Sequence, residues 1–232
     1  MSQGHLTVPP PQATEPDETG NLRGGRVAEQ YRSLRAVIES SVPAGTAPER
    51  RSLVVMVAGV EHGVADVGIR LAAAFADGGH ETLLLDADLR SPACHRLLQT
   101  DGPPPPGLLE WLRGPADSGN PAGSPLPVYP SNLKDLAVLP AGRGVAGQDP
   151  LQSERVDALF VAARAAYQRV VVVASPVALS ADALFLAPVV DGVVVAVVPG
   201  RTGGPAAQRA RDSLLATGAR IFGAVIADPD GR

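Results

Sequence analysis

Six short runs of consecutive apolar residues punctuate the chain: SLVVMVA (52–58), TLLLD (82–86), LAVLP (136–140), VVVVA (170–174), VVVAVV (193–198) and IFGAVI (221–226). A strand with one wet face alternates apolar and polar residues, because successive side chains point to opposite faces. These runs do not alternate, so they predict strands covered on both faces, as in a parallel sheet flanked by helices. Segments with helical spacing lie between them. Val156, Leu159, Phe160, Ala163 and Tyr167 form one stripe, Val64 to Ala76 is apolar almost all round, and Ala207, Ala210 and Leu214 give a weaker third. A further helix is expected over Val27–Ser40, with Val27, Tyr31, Leu34 and Ile38 at helical spacing before a Pro/Gly/Ala break. The alternation predicts an α/β fold: a doubly wound, mostly parallel sheet with helices on both faces. Ligands in such sheets bind at the carboxyl ends of the strands.

Residues 1–24 are rich in Pro, Gly, Thr and Glu without any period and are expected to form a disordered tail. Residues 25–232 are read as one domain, long enough at 45 % apolar content to bury a core. A Pro/Gly-rich insert over about 101–132 is expected to be a surface excursion around the short helix GLLEWLRG, with Trp111 as its anchor. The amino terminus lacks the basic and apolar segments of a signal peptide. The longest apolar stretch, Leu184 to Pro199, is interrupted by Asp191 and falls short of the roughly 20 residues that span a bilayer. The single cysteine, Cys94, excludes an intramolecular disulfide and a cysteine-rich zinc site, and the four histidines show no ligand spacing. His62 is expected in a loop, His95 on a helix surface and Cys94 at least half-buried. A cytoplasmic setting without a metal is the expectation. The nearly balanced charge argues neither for nor against any partner, while aromatics at 3 % leave little for base stacking, so no nucleic-acid partner is expected.

Of the 20 basic residues, one is a lysine, Lys134, which leaves 19 arginines. That bears on the turn after the first strand, AGVEHGVADVG (58–68), where this fold places a phosphate loop. A working loop reads GxxxxGK[ST]: backbone N–H groups and a helix N-terminus hold the phosphates, a lysine neutralises them, and a hydroxyl ligates magnesium. Gly59 and Gly63 are present, but the lysine and hydroxyl are not.

The ordered set EQYRSLRAVIES, LLLDADLRSPACHRLL, GLLEWLRG, DPLQSERVDALF and SADALFLAPVVDGVVVAVVPGRT, over about residues 27–227, resembles the kinase domain of bacterial tyrosine autokinases. These are relatives of MinD/ParA-type P-loop ATPases that act in capsule and exopolysaccharide export. The resemblance implies a phosphate-loop lysine at Val64, a Ser/Thr at Ala65 and a Thr at Asp66, all three lost. It implies a second acidic motif, intact as Asp86, Asp88 and Arg90. A third motif, hhhDxPP, falls on VVVVASPV, with Val173 in place of the magnesium-supporting Asp and only Pro176 left of the proline pair. Ala227 stands where an adenine-reading Asn is common, and the family's C-terminal tyrosine cluster has no counterpart in ADPDGR.

A lost lysine removes charge-assisted contacts worth roughly 1.5–3 kcal/mol each, and Asp66 adds a repelling carboxylate. The expectation is a catalytically degenerate member that binds neither ATP nor magnesium, with Gly59, Gly63, Val64, Ala65 and Asp66 as a non-binding loop and Asp86 and Asp88 vestigial. Asp66 is expected to offset the positive end of its own helix. Two alternatives stay open: a cation held by Glu61, Asp66, Asp86 and Asp88, and an atypical nucleotide mode through Gly59, Gly63 and Arg70. An active tyrosine kinase and a MinD/ParA-type positioning ATPase are the rival functions. Glu29, Arg32 and Arg35 share one side of a helix, where Glu29 and Arg32 can pair locally. In the family this ExxRxxR helix joins neighbouring subunits, which implies a homo-oligomer or a paralogous kinase as partner. A membrane chain-length regulator or polysaccharide export protein is the other implied partner, through which any membrane association would run.

Overall fold

Each of the six apolar runs forms a strand. A computed structural model describes residues 25–42, 52–61, 65–98, 103–114, 125–143, 151 and 155–227. Helix α1 (Gly25–Ser41) precedes β1 (Leu53–Gly59), α2 (Ala65–Asp77), β2 (Thr82–Ala87) and a 3-10 turn (Cys94–Leu98). Then come α3 (Leu108–Arg113), β3 (Tyr129–Pro130), β4 (Leu136–Leu139), α4 (Arg155–Ala166), β5 (Arg169–Ala174), α5 (Asp182–Leu186), β6 (Gly192–Val197), α6 (Gly204–Ala216) and β7 (Ile221–Ile226). The expected tail, 1–24, lies outside the described residues, as do His62, Gly63 and Val64.

The seven strands form one sheet in the order β3-β4-β2-β5-β1-β6-β7. All neighbours are parallel except β3, which runs antiparallel to β4 (Tyr129 opposite Val138). β1 lies between β5 and β6 and is buried at every residue, which is why its run shows no alternation. One face of the sheet packs against α3, α4, α5 and α6. The other face carries α2, whose Val67–Ile69 and Leu71–Ala76 are all buried.

Two expectations need correction. IFGAVI was expected to be buried on both faces, yet Ile226 is 73 % exposed and no residue of β7 is fully buried. β7 is the edge strand with one neighbour, so a continuous apolar run there does not mark burial. The insert over 101–132 is no surface excursion at its helix; residues 115–124 lie outside the described residues. Leu108, Leu109, Trp111 and Leu112 of α3 are all buried in the core. The amides of Leu108 and Leu109 donate to the carbonyls of Pro140 (2.8 Å) and Ala141 (2.9 Å), so α3 extends the end of β4. At that approach a Cβ on Gly107 would collide with the Pro140 carbonyl. The Glu110 carboxylate accepts the amides of Gly107 and Arg143, each at 2.7 Å, and holds the junction together.

Helix α1 lies on α2 as an outer layer, with Ala28 and Ile38 buried and Tyr31 and Leu34 partly so. Its charged residues fasten it. Arg32 pairs with Glu29 and lies 3.7 Å from Asp77 at the end of α2. Arg35 donates to the Ala74 carbonyl at 2.7 Å, and Glu39 meets Arg169 at 3.0 Å. The last carbonyls of a helix have no partner of their own and form the negative end of its dipole, so a guanidinium there is stabilising. A Cβ on Gly78 would collide with the Arg35 head. Arg35→Ala is therefore expected to cost about 1.5–3 kcal/mol of stability, read from urea denaturation. A change below about 0.5 kcal/mol would mean that Arg35 is not what anchors α1.

Candidate functional site

The carboxyl ends of β1, β2 and β5 meet where the sequence places the phosphate loop. Gly59 ends β1, and its carbonyl accepts the amide of Val177 at 2.9 Å, joining β1 to the loop after β5. Ala65 and Asp66 open α2. Asp66 stands in the first turn, as expected, but its carboxylate is 58 % exposed and its partner is Arg96 of the 3-10 turn, at 3.0 Å. Its negative charge still faces the positive end of α2, while the hydrogen bond goes to a side chain that sequence spacing does not reveal.

Val173 stands where the resemblance implies an acidic residue. In the sheet register it sits beside Val57 of β1 and Asp86 of β2. Partners in a parallel sheet point to the same face, and the face here is the one under α2. Val173 is 2 % exposed and packs so closely on α2 that a Cβ on Gly68 would collide with its Cγ2. The position is a closed apolar contact between strand and helix.

Asp86 is 1 % exposed, and both its oxygens are engaged. Oδ2 accepts the amides of Ala93 (2.9 Å) and Cys94 (2.8 Å), and Oδ1 accepts that of Asp88 (3.2 Å). Burial raises its pKa above the ordinary carboxylate value, against the pull of those three amides. Asp88 accepts the amides of Arg90 (3.3 Å) and Ser91 (3.1 Å). The two carboxylates thus hold the turn between β2 and the 3-10 turn, a structural use of short side chains that accept backbone N–H groups. Cys94, fully buried beside Asp86, has its thiol pushed well up by burial. His95 is half-buried with Nδ1 unpartnered, where a surface position was expected.

The four carboxylates proposed as a cation cluster are not brought together: among the described residues no group of three His, Cys, Asp or Glu could hold a metal ion. Arg70 lies on α2, within electrostatic reach of Tyr31 on α1. Tyr31 of α1 is pushed up to about 12 by burial, with Arg70 pulling it down and Asp66 pushing it up. Lys134 precedes β4 at the amino edge of the parallel strands, with its side chain 83 % exposed, whereas the phosphate loop leaves the carboxyl edge of β1.

Sequence reasoning missed three participants. The Ser175 hydroxyl, fully buried after β5, lies 2.9 Å from Asp88 Oδ1 and 3.2 Å from Asp182 Oδ2, and its one proton can serve only one of them. Asp182 opens α5, 3.6 Å from Arg90 Nε. Arg96 is the third. The polar pair Ser175 and Asp182 just after an all-apolar strand was the available signal; nothing in the sequence pointed to Arg96.

No protein-family model matches the chain. The tyrosine-protein kinase YwqD of Bacillus subtilis is 30 % identical over 200 residues, covering 86 % of this chain and 80 % of that one. The chain belongs to the bacterial tyrosine-kinase family. The cell division ATPase MinD of Pyrococcus furiosus shares the fold, with a TM-score of 0.54 at 18 % identity over 77 % of this chain and 75 % of that one. The kinase domain of Escherichia coli tyrosine kinase ETK superposes with a TM-score of 0.73 at 22 % identity, over 87 % of this chain and 75 % of that one. The succinoglycan biosynthesis transport protein ExoP of Rhizobium meliloti is 33 % identical over 180 residues, 75 % of this chain but only 21 % of that protein. No described helix of this kinase-family chain is long and apolar enough to cross a membrane.

Proposed function

We propose that this member of the bacterial tyrosine-kinase family has lost magnesium–nucleotide chemistry and acts as an assembly or regulatory partner in capsular or exopolysaccharide production. The observation that carries the reading is Val173 sealed against Gly68. In the family pattern an Asp at 173 stands beside Asp86, two carboxylates on strands about 5 Å apart that repel unless a cation lies between them. With the lysine and hydroxyl gone, an Asp at 173 would be a buried, uncompensated charge, and a valine removes that cost. The losses at Val64, Ala65 and Val173 are thus one change seen at three places. The polysaccharide setting follows the succinoglycan-transport relative, and a membrane chain-length regulator or export protein is the partner class this supports.

Self-association through Glu29, Arg32 and Arg35 belongs to the same proposal, with the work divided. Arg35 holds α1 in place, and the exposed residues of α1, Glu29 and Val37 (53 % exposed) among them, are what would meet a neighbour.

The deciding experiment is a titration with a fluorescent ATP analogue in the presence of magnesium. No saturable binding is expected up to millimolar nucleotide, and a micromolar Kd would overturn the proposal. One observation favours the rival, an active kinase with an atypical loop: Arg96 brings a guanidinium to the start of α2, where the lysine is missing. Asp66 neutralises it. If the rival holds, Asp66→Ala frees Arg96 and raises nucleotide affinity; on our reading it leaves binding absent.

A further inference from the structure

The carboxyl-terminal end of α1 is held more by charge than by apolar burial. Of the 17 residues of this helix only Ala28 and Ile38 are buried, and the residue after Ile38 is Glu39. Glu39 Oε1 accepts hydrogen bonds from Arg169 Nη2 (3.0 Å) and Nε (3.3 Å), and the same oxygen lies 3.1 Å from His80 Nε2. His80 follows the Gly78–Gly79 turn at the end of α2, and Arg169 opens β5. One carboxylate oxygen thus joins α1 to two other parts of the fold.

The His80 ring is placed by its surroundings. Its amide donates to the Phe75 carbonyl at 3.3 Å, its carbonyl accepts the Thr82 hydroxyl at 2.9 Å, and the ring meets Phe75 edge to face, with 6.5 Å between centres. Arg169 covers the same Phe75 ring at 5.8 Å and stands 3.4 Å from His80 Nε2. A neutral imidazole nitrogen can donate to Glu39 or accept from Arg169, according to its tautomer. An imidazolium nitrogen can only donate, and a guanidinium has no acceptor. Protonation therefore sets two donors against each other across 3.4 Å.

The charges around the ring decide which way the proton acts. Arg35 and Glu39 face it from α1, and Arg169 and Gln168 from the start of β5. Of its chain neighbours, Asp77 lies 3.7 Å from Arg32, and Glu81 acts on the Tyr167 phenol. Glu39 is one carboxylate against two guanidinium groups, and a charged His80 makes the cations three. Burial is the largest influence on His80 and lowers its pKa; Arg169 and, more weakly, Arg35 act the same way, against Glu39 and Gln168.

We propose that His80 is an acid-sensitive catch for α1: neutral, it supports the Glu39–Arg169 pair, and protonated, it releases the carboxyl-terminal half of α1 from α2 and β5. The proton favours the released form because the imidazole regains water there and Arg35 departs with α1. Glu39 departs as well, but the burial that outweighs it goes too. The catch is therefore complete above pH 6.5, the ordinary histidine value, and weakens as pH falls below it. A seated pKa one unit below the ordinary value corresponds to about a tenfold rise in the released fraction. The inference needs neither the loss of nucleotide chemistry nor a second copy of the chain.

Two measurements on the full chain test it. Hydrogen exchange, corrected for its intrinsic pH dependence, should show the amides from Leu34 to Ser41 opening several-fold to about tenfold more at about pH 5.5 than at about pH 7.5. The amides of β1 should stay protected. The His80 ring protons, followed by NMR and assigned by their disappearance in His80→Gln, should titrate below pH 6.5. His80→Gln, neutral at every pH, should keep α1 protected and abolish its acid response. Four results would each overturn the inference: no acid response in the parent, an acid response that persists in His80→Gln, β1 opening as much as α1, or a His80 pKa at or above the ordinary value.

Discussion

Val173→Asp is expected to destabilise the protein by about 4 kcal/mol or more, the cost of an uncompensated charge in an apolar contact. The valine touches α2 at Gly68 and lies between Val57 and Asp86 across the sheet, so the new carboxylate would stand beside one already buried. Urea denaturation at neutral pH measures the loss. Millimolar magnesium is the informative second arm. If the site had kept its capacity for a cation, an ion binding only the native state would recover stability in proportion to its concentration. No recovery is expected, because Val64 and Ala65 carry neither a lysine ammonium nor a hydroxyl and Asp86 already spends both oxygens on backbone amides. A loss below about 1 kcal/mol, or full rescue by magnesium, would show that position 173 still belongs to a cation site.

Asp86→Ala carries the second large effect, about 3–5 kcal/mol. The three amides of Asp88, Ala93 and Cys94 would lose their acceptor inside the fold, and a buried donor left unsatisfied costs about 1–3 kcal/mol. The removal of a buried carboxylate returns part of that. Asp86→Asn keeps one acceptor oxygen and should fall roughly midway. A residue that served only catalysis gives a different result: activity would change while stability stayed within about 0.5 kcal/mol of the parent. Denaturation of the two variants side by side therefore decides whether Asp86 is a relic of magnesium binding or the staple of the β2 turn. Its geometry makes it the staple.

These two residues also mark how far the sequence could be read. The strands were legible because a central parallel strand must be apolar on both faces, and β1 obeys that rule at every residue and β5 from Val170 onward. The same rule misread β7, where an apolar run lies on an edge and stays half wet. In α3 only Trp111 was expected to anchor on the domain, because a Pro- and Gly-rich neighbourhood looks like a loop whatever its leucines do; the leucines are core as well. Helix α1 was visible as a period, but its charges were ambiguous: spacing puts Glu29, Arg32 and Arg35 on one side without saying whether that side meets water, a neighbour or α2.

By itself the sequence determined the doubly wound α/β frame and the family, and it showed that the turn after β1 has no lysine, the single Lys134 lying elsewhere. Those are properties of order and residue type, which survive without coordinates. Only the tertiary structure decided what these residues meet. Val173 closes on Gly68, Asp66 turns to Arg96, Ser175 lies between Asp88 and Asp182, and Arg35 reaches the end of α2. Most of these contacts join residues 30 or more positions apart in the chain. Their partners are set by which strands lie side by side and where each helix ends. A local pattern can name the residue that is free to act, but the packing of the sheet chooses what it meets.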